Sequence, residues 1–525
     1  MHRLIQEKPE LITETAHPHT QPARPRQHRN RRRLALILAG TTMLAGLLLL
    51  LLLVNWPFTR SKVIADLEEE MQGRAEIKRF HQTYFPHPGC VAEDVTFTSY
   101  GNLSNPMPIS VRKLTIQGSW RGLFTKHVPV LHAEGVHAVA PRANYFAGWT
   151  QKKTSTQVVV DEFIVSGSVL EFLRGAEEPP LKFEISELKL LNPGMNRVME
   201  FETTLRNPEP PGEVHATGHL GPWRSENPGQ TPIAGAYSLK HADLGVFHGI
   251  AGILSADGSF QGVIQDLDVR GKTEMADFEV TETGHKIGLN TQFQAKVSSK
   301  SGDVTLEEVL AELGKSQVKV EGNIAGGDHQ KGKTASLELL VGDGQIQDFL
   351  FLLLKDRVPP MTGRFSFKGQ ATLPPDKAPF TQRIQLQGDF GISAGHLSNP
   401  TAQANLENLS ERAEGEKDEV SERVVSDLRG HVTLRQGTAV LSDLSFRVPG
   451  ALARMHGTYD LVTHRINLHG TLVMKANLSE ATSGVKSFLL KIVNPLLKKN
   501  HRGGAVVPLS VTGIYPHPVY KVSPI

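Results

Sequence analysis

Residues 327–334 read G-D-H-Q-K-G-K-T and match the spacing of a phosphate-binding loop, with Lys333 and Thr334 in the places that would face a nucleotide. Such a loop works when it joins a strand to a helix, because loop amides and the helix N-terminus then face the phosphates together. Here 318–324 and 335–341 both alternate like strands. The segment is therefore read as the polar turn of a hairpin, with no bound nucleotide. His81, His87 and Cys90 cluster in sequence but match no common zinc spacing. His464 and His469 are five apart in a strand region, which sends them to opposite faces. Glu307 and Glu308 are adjacent and read as a wet surface. No H-E-x-x-H helix occurs. The chain is read as non-enzymatic, with no cofactor and no metal.

These residues sit in elements of short period. From residue 90 onward, apolar and polar residues alternate and then meet glycine, as in 114–118, 267–271, 318–322, 365–369, 384–388, 466–470 and 509–513. Alternation of this kind wets one face of a strand and buries the other. Each glycine is read as a turn, bulge or bend. With 48 Gly, 32 Pro and 6% aromatics, the expected fold class is mainly β: a long antiparallel meander of no fixed period, curled into an open groove. Residue types on the apolar side of two such strands, Phe365 with Phe367 and Ile466 with Leu468, are candidate lipid-facing positions. The 57 basic and 54 acidic residues nearly cancel, which argues against a nucleic-acid partner held by bulk charge.

Three apolar segments, and one short helix after the first of them, are expected to be helical beyond the strands. The first, 34–54, is uncharged and leucine-rich, long enough to span a bilayer. Arg24, Arg26, Arg29, Arg31, Arg32 and Arg33 precede it, against Arg60 and Lys62 after it. The positive-inside rule places the N-terminus in the cytoplasm and the body across the membrane, with Trp56 at the interface. An uncleaved anchor is favoured over a signal peptide because the apolar core is too long and 55–58 is a poor cleavage site. A short helix over 62–73 follows, with Ser61 as its candidate N-cap. The second apolar helix, 345–357, carries Phe349 and Leu353. The third, 485–499, carries Phe488, Leu489, Ile492 and Leu496 among lysines. Both are read either as caps on a sheet core or as lipid-contact helices. The single cysteine, Cys90, excludes an internal disulfide.

The resulting division has a basic, disordered cytoplasmic tail (1–33), a transmembrane anchor (34–54) and a juxtamembrane helix and linker (55–89). The N-terminal part of the β-groove (90–344) and an apolar helix (345–358) follow. A C-terminal β region (359–484), an amphipathic helix (485–499) and a C-terminal strand (500–525) complete it.

The chain resembles the AsmA-like family of bacterial envelope proteins, related to TamB and the chorein-type bridge-like lipid-transfer group. The likeness runs through 219–223, 231–237, 242–250 and 258–278. It is most specific in 444–451, 455–461, 485–499 and 507–513, followed by Pro518. These motifs are structural and carry no catalytic residue. The resemblance implies an inner-membrane protein with a periplasmic, elongated β-groove, acting in outer-membrane biogenesis or phospholipid movement. Phospholipids, the inner membrane and other envelope proteins are its implied partners. The alternative is a structural or assembly factor with a closed, packed β core.

Overall fold

The computed structural model describes residues 41–44, 46–47, 56–71, 73–99, 108–125, 127–140, 158–173, 179–194, 196–224, 227–299, 301–326, 332–356, 358–398, 426–448, 451–474 and 506–522. Two units divide the chain, Met1–Thr59 and Arg60–Ile525. In the first, residues 41–44 and 46–47 are helical, and Met43, Leu44 and Leu47 are exposed. Trp56, expected at a membrane interface, is buried and lies edge-on to Phe58 at 6.0 Å. The rest of the anchor at 34–54, the tail at 1–33 and the helix at 485–499 lie outside the described residues. Among the described residues no helix is long and apolar enough to cross a membrane.

The second unit opens with helix α1 (Arg60–Met71). Strands β1 (Gly73–Thr83), β2 (Gly89–Ser99), β3 (Pro108–Gln117), β4 (His127–Ala140), β5 (Val159–Phe172), β6 (Leu181–Leu191), β7 (Met199–Pro208) and β8 (Pro211–Leu220) follow, with a turn of helix α2 (Gly122–Thr125) before β4. Next come β9 (Pro232–Asp243), β10 (Ile250–Ala251), β11 (Ile253–Val263), β12 (Asp266–Val280), β13 (Ile287–Ser298), β14 (Val304–Leu313), β15 (Ser316–Gly326) and β16 (Lys333–Gln345). Helix α3 (Ile346–Leu353) leads to β17 (Met361–Leu373), and helix α4 (Phe380–Arg383) to β18 (Gln385–Leu397). The last strands are β19 (Ser426–Arg435), β20 (Thr438–Val448), β21 (Ala451–Asp460), β22 (Arg465–Met474), β23 (Val506–Ile514) and β24 (His517–Val522).

All 24 strands among the described residues belong to one sheet. Neighbours in sequence pair antiparallel, except that β9 pairs with β11 while the short β10 joins β12. The expected meander has one further exception. Strands β4 and β5 run parallel, with His127 opposite Val159. The expected linker also begins as sheet, because β1 starts at Gly73 and pairs with β2 along its length. The C-terminal segment holds two strands where one was expected.

Helix α1 covers the free edge of β1. Arg60 Nη2 donates to the Ile77 carbonyl at 2.6 Å, and Glu68 Oε1 accepts the Ala75 N–H at 3.1 Å. Side chains thus occupy edge groups that a foreign strand would otherwise pair.

Four of the recurrent glycines depart from the turn expected of them, whereas Gly118 follows the end of β3 and Gly322 takes a positive φ opposite a register shift. Gly271, Gly369, Gly388 and Gly470 lie inside strands rather than at their ends. Several leave room for aromatic rings from the same strand or from a strand one or two places away. A Cβ on Gly271 would meet the Tyr237 hydroxyl at 2.7 Å, and one on Gly369 or Gly388 would meet Phe367 Cζ at 2.7 Å. Alternation is kept because glycine occupies an inward place, and the ring fills what the glycine leaves empty.

Candidate functional site

Strand register places one apolar face on consecutive strands. Phe163 lies opposite Leu190, Leu190 opposite Phe201, Phe201 opposite Gly218 and Gly218 opposite Gly235. The row continues from Phe260 through Val269, Ala295 and, beyond a bulge, Leu306. Later strands bring Phe367 opposite Val341 and Phe390, and Ile392 opposite Leu428. Most of these side chains are half-buried. A single sheet can cover an apolar side chain only from its flanks, so such a face stays partly open.

Phe365 is half-buried and Phe367 buried, their rings nearly parallel at 6.3 Å. Phe349, from α3, lies against Phe365 at 5.0 Å. The α3 residue Leu353 is half-buried. Helix α3 therefore meets the sheet face through the aromatic side chain singled out in sequence. Its neighbour Leu352 joins Val280 and Leu313 in a buried cluster, with Phe278, Ile287, Leu289 and Phe380 around it.

In β22, Ile466 and Leu468 are half-buried while Asn467 and His469 are exposed, the alternation expected from sequence. Leu468 packs on a buried cluster of Leu444, Ala453, Met455, Leu472 and Leu509. Phe390 and Leu428 pack on that same cluster. Phe390 lies opposite Phe367, so both candidate lipid-facing pairs belong to one continuous face. Phe488, Leu489, Ile492 and Leu496 lie outside the described residues.

Contacts also join distant strands. Thr381, after β17, donates its N–H at 3.2 Å and its hydroxyl to Glu282 Oε2, after β12. Arg383 Nη2 donates to the His248 carbonyl at 2.7 Å. His285 stacks on Phe351 of α3 at 4.2 Å and places Nδ1 2.8 Å from its carbonyl oxygen. Burial, and then the Asp356 carboxylate, hold the phenols of Tyr459 and Tyr515 above their usual value. Sequence reasoning missed these contacts because no local pattern encodes a pairing over such separations.

The chemistry-bearing residues are dispersed. Lys333 starts β16, which pairs antiparallel with β15, so a strand follows the phosphate-loop pattern. Its Nζ lies 3.1 Å from Asp303 Oδ1; residues 327–331 lie outside the described residues. His81 and His87 are exposed, whereas Cys90 is buried and its thiol is pushed up to about 12 by desolvation. His464 sits in the turn before β22 and His469 within it. Glu307 pairs with Lys296 across strands. Among the described residues no three metal-ligating side chains converge.

Fold and face together define a mainly β protein built on one long, almost wholly antiparallel sheet with few helices. No family model, curated protein or solved structure matches the chain.

Proposed function

We propose that the chain is an inner-membrane-anchored envelope protein of AsmA-like type, whose periplasmic sheet curls into a furrow that binds or transfers phospholipid. The observation that carries this reading is the continuous, half-exposed apolar face running across the sheet. Acyl chains laid on it would leave water at about 0.8 kcal/mol per CH₂. A curl is supported by the Glu282–Thr381 contact, since five strands lie between those residues. A flat sheet would hold them about 24 Å apart. The anchor and its orientation rest on the apolar run at 34–54 and the arginines before it. Transfer would be passive or partner-driven, because no energy-coupling site is evident in the sequence.

One observation favours the second reading, a packed assembly factor. Ala453 is fully buried, and Leu444, Met455, Leu472 and Leu509 nearly so. Photo-crosslinkers at 466 and 468, against 467 and 469, decide between them. Phospholipid adducts on the first pair only, with lipid co-purifying by mass spectrometry, support the furrow. Loss of folded protein in Leu468→Asp with no adducts anywhere favours the packed core, because an unpaired buried charge costs several kcal/mol. A phosphatase reporter fused after residue 525 should be active; an active cytoplasmic reporter there would refute the orientation.

A further inference from the structure

The opposite, polar face carries cross-strand ion pairs: Lys189 with Glu162, Lys182 with Glu171, Lys296 with Glu307 and Lys319 with Glu308. Between β16 and β19 the same face carries one more pair, His431 with Asp389 at 2.8 Å, and leaves two arginines outside it. There a depression of about 290 Å³ is lined by Arg364, Arg429, Ser366, Ser393, Gly391 and Asp343, among others. Among the described residues neither the Arg364 nor the Arg429 guanidinium has an ion-pair or hydrogen-bond partner.

Register explains the shape. Arg364 lies opposite Ser393, Ser366 opposite Gly391, and Gly391 opposite Arg429. The two arginines are two strands and two residues apart, so their Cα atoms stand about 12 Å from each other by sheet geometry. That span lets both guanidiniums lean toward one group above Gly391, which has no side chain to fill the floor. A Cβ there would come 2.8 Å from Ser366 Oγ.

Irregularities surround the depression. Register shifts fall at Val341/Gly344, Thr362/Arg364 and Ser426/Arg429. Ala394 and Asp427 take φ of +52° and +55°. Bulges re-aim side chains out of a regular ladder, and alanine has no intrinsic preference for that left-handed region. Asp427 is engaged by Arg447 at 3.5 Å, which leaves Asp343 as the opposing charge on the rim.

We propose that this depression binds a phosphate group, held by Arg364 and Arg429 with the Ser366 and Ser393 hydroxyls. Two planar guanidinium forks and the Ser393 hydroxyl, with the Ser366 hydroxyl once it leaves its long 3.4 Å bond to the Gly391 carbonyl, offer several donors to one small, multiply charged acceptor, which phosphate satisfies better than a carboxylate. The group is a free phosphate or the phosphate of a lipid headgroup. The site lies on the face opposite the apolar one and stands whether or not that face carries lipid.

The test titrates the detergent-solubilised full chain with inorganic phosphate, and separately with dioctanoyl phosphatidic acid against dioctanoyl phosphatidylcholine. Saturable binding of inorganic phosphate assigns a free phosphate; binding of phosphatidic acid alone assigns a headgroup. Arg364→Gln and Arg429→Gln should each weaken binding by about tenfold, the scale of one charge-assisted hydrogen bond. Asp343→Asn should tighten it, and Arg435→Gln, outside the depression, should leave it unchanged. Unaltered circular dichroism shows that the variants remain folded. No saturable binding of either probe overturns the site, as does equal affinity in the double arginine variant and the parent chain.

Discussion

Thr381 directs both its backbone N–H and its hydroxyl at one oxygen of Glu282, although five strands separate the two residues in the sheet. Thr381 is buried, so water cannot replace the carboxylate. Glu282→Ala should leave that amide unpaired, at about 1–3 kcal/mol. Hydrogen exchange should rise at 281–286 and 380–384 and stay unchanged in β6. Unchanged exchange at both segments would mean that the contact holds nothing together.

The seat of the Tyr237 ring gives a second expectation. Gly271→Ala would crowd the Tyr237 hydroxyl and the Asp257 carbonyl, 2.7 and 2.9 Å from the new Cβ. Overpacking of this kind costs about 1–3 kcal/mol. Gly288, in β13, has open space around it, so Gly288→Ala should be near neutral. Chemical denaturation of both variants checks this, and equal losses would show that the glycines are not seats for rings.

Asp460 closes the turn from β21 to β22. The Thr463 amide above all holds its carboxyl below the usual range; burial opposes it, and the Thr463 hydroxyl, the Val462 amide and the Thr438 hydroxyl add to the lowering. A depressed carboxylate contributes stability that is present above its unfolded value, about pH 4, and is lost as pH falls through the folded value. Asp460→Asn should therefore destabilise the chain at pH 7 by about 1–2 kcal/mol. The difference should shrink below about pH 4. A gap that persists at pH 2 would assign the effect to shape rather than charge.

Lys333 tests the phosphate-loop pattern. Its partner is Asp303 at 3.1 Å, and both side chains are about a third exposed. Lys333→Ala should change stability by less than about 1 kcal/mol. Equilibrium dialysis with ATP should show no saturable binding to the parent chain. Saturable binding abolished by the substitution would place a nucleotide there.

The strands were legible because period two is a local property: Ile466, Asn467, Leu468 and His469 state their faces without reference to anything distant. Helix α3 was legible within a few residues because Phe349, Leu350, Leu352 and Leu353 cluster too densely for a strand. The parallel pairing of β4 with β5 was not, since alternation gives a strand's faces but not its direction. Glycines inside strands misled for a related reason. Gly271 and Gly369 answer to rings on other strands or rotated over their own, a demand invisible in a window of five residues. The arginine depression escaped notice because Arg364 and Arg429 are brought together only by the register of three strands.

The helix over β1 makes the two ends of the sheet unlike. At β1 the Ala75 N–H and the Ile77 carbonyl are already taken by Glu68 and Arg60, whereas β24 pairs only with β23 among the described strands. A filament grown by edge pairing needs every subunit to offer two receptive ends, as head-to-tail association does. With Ala75 and Ile77 already engaged, edge association between copies is disfavoured over that stretch of β1 and favoured at β24. Open-ended polymerisation of a long β ribbon is thereby hindered by two side chains of a single short helix.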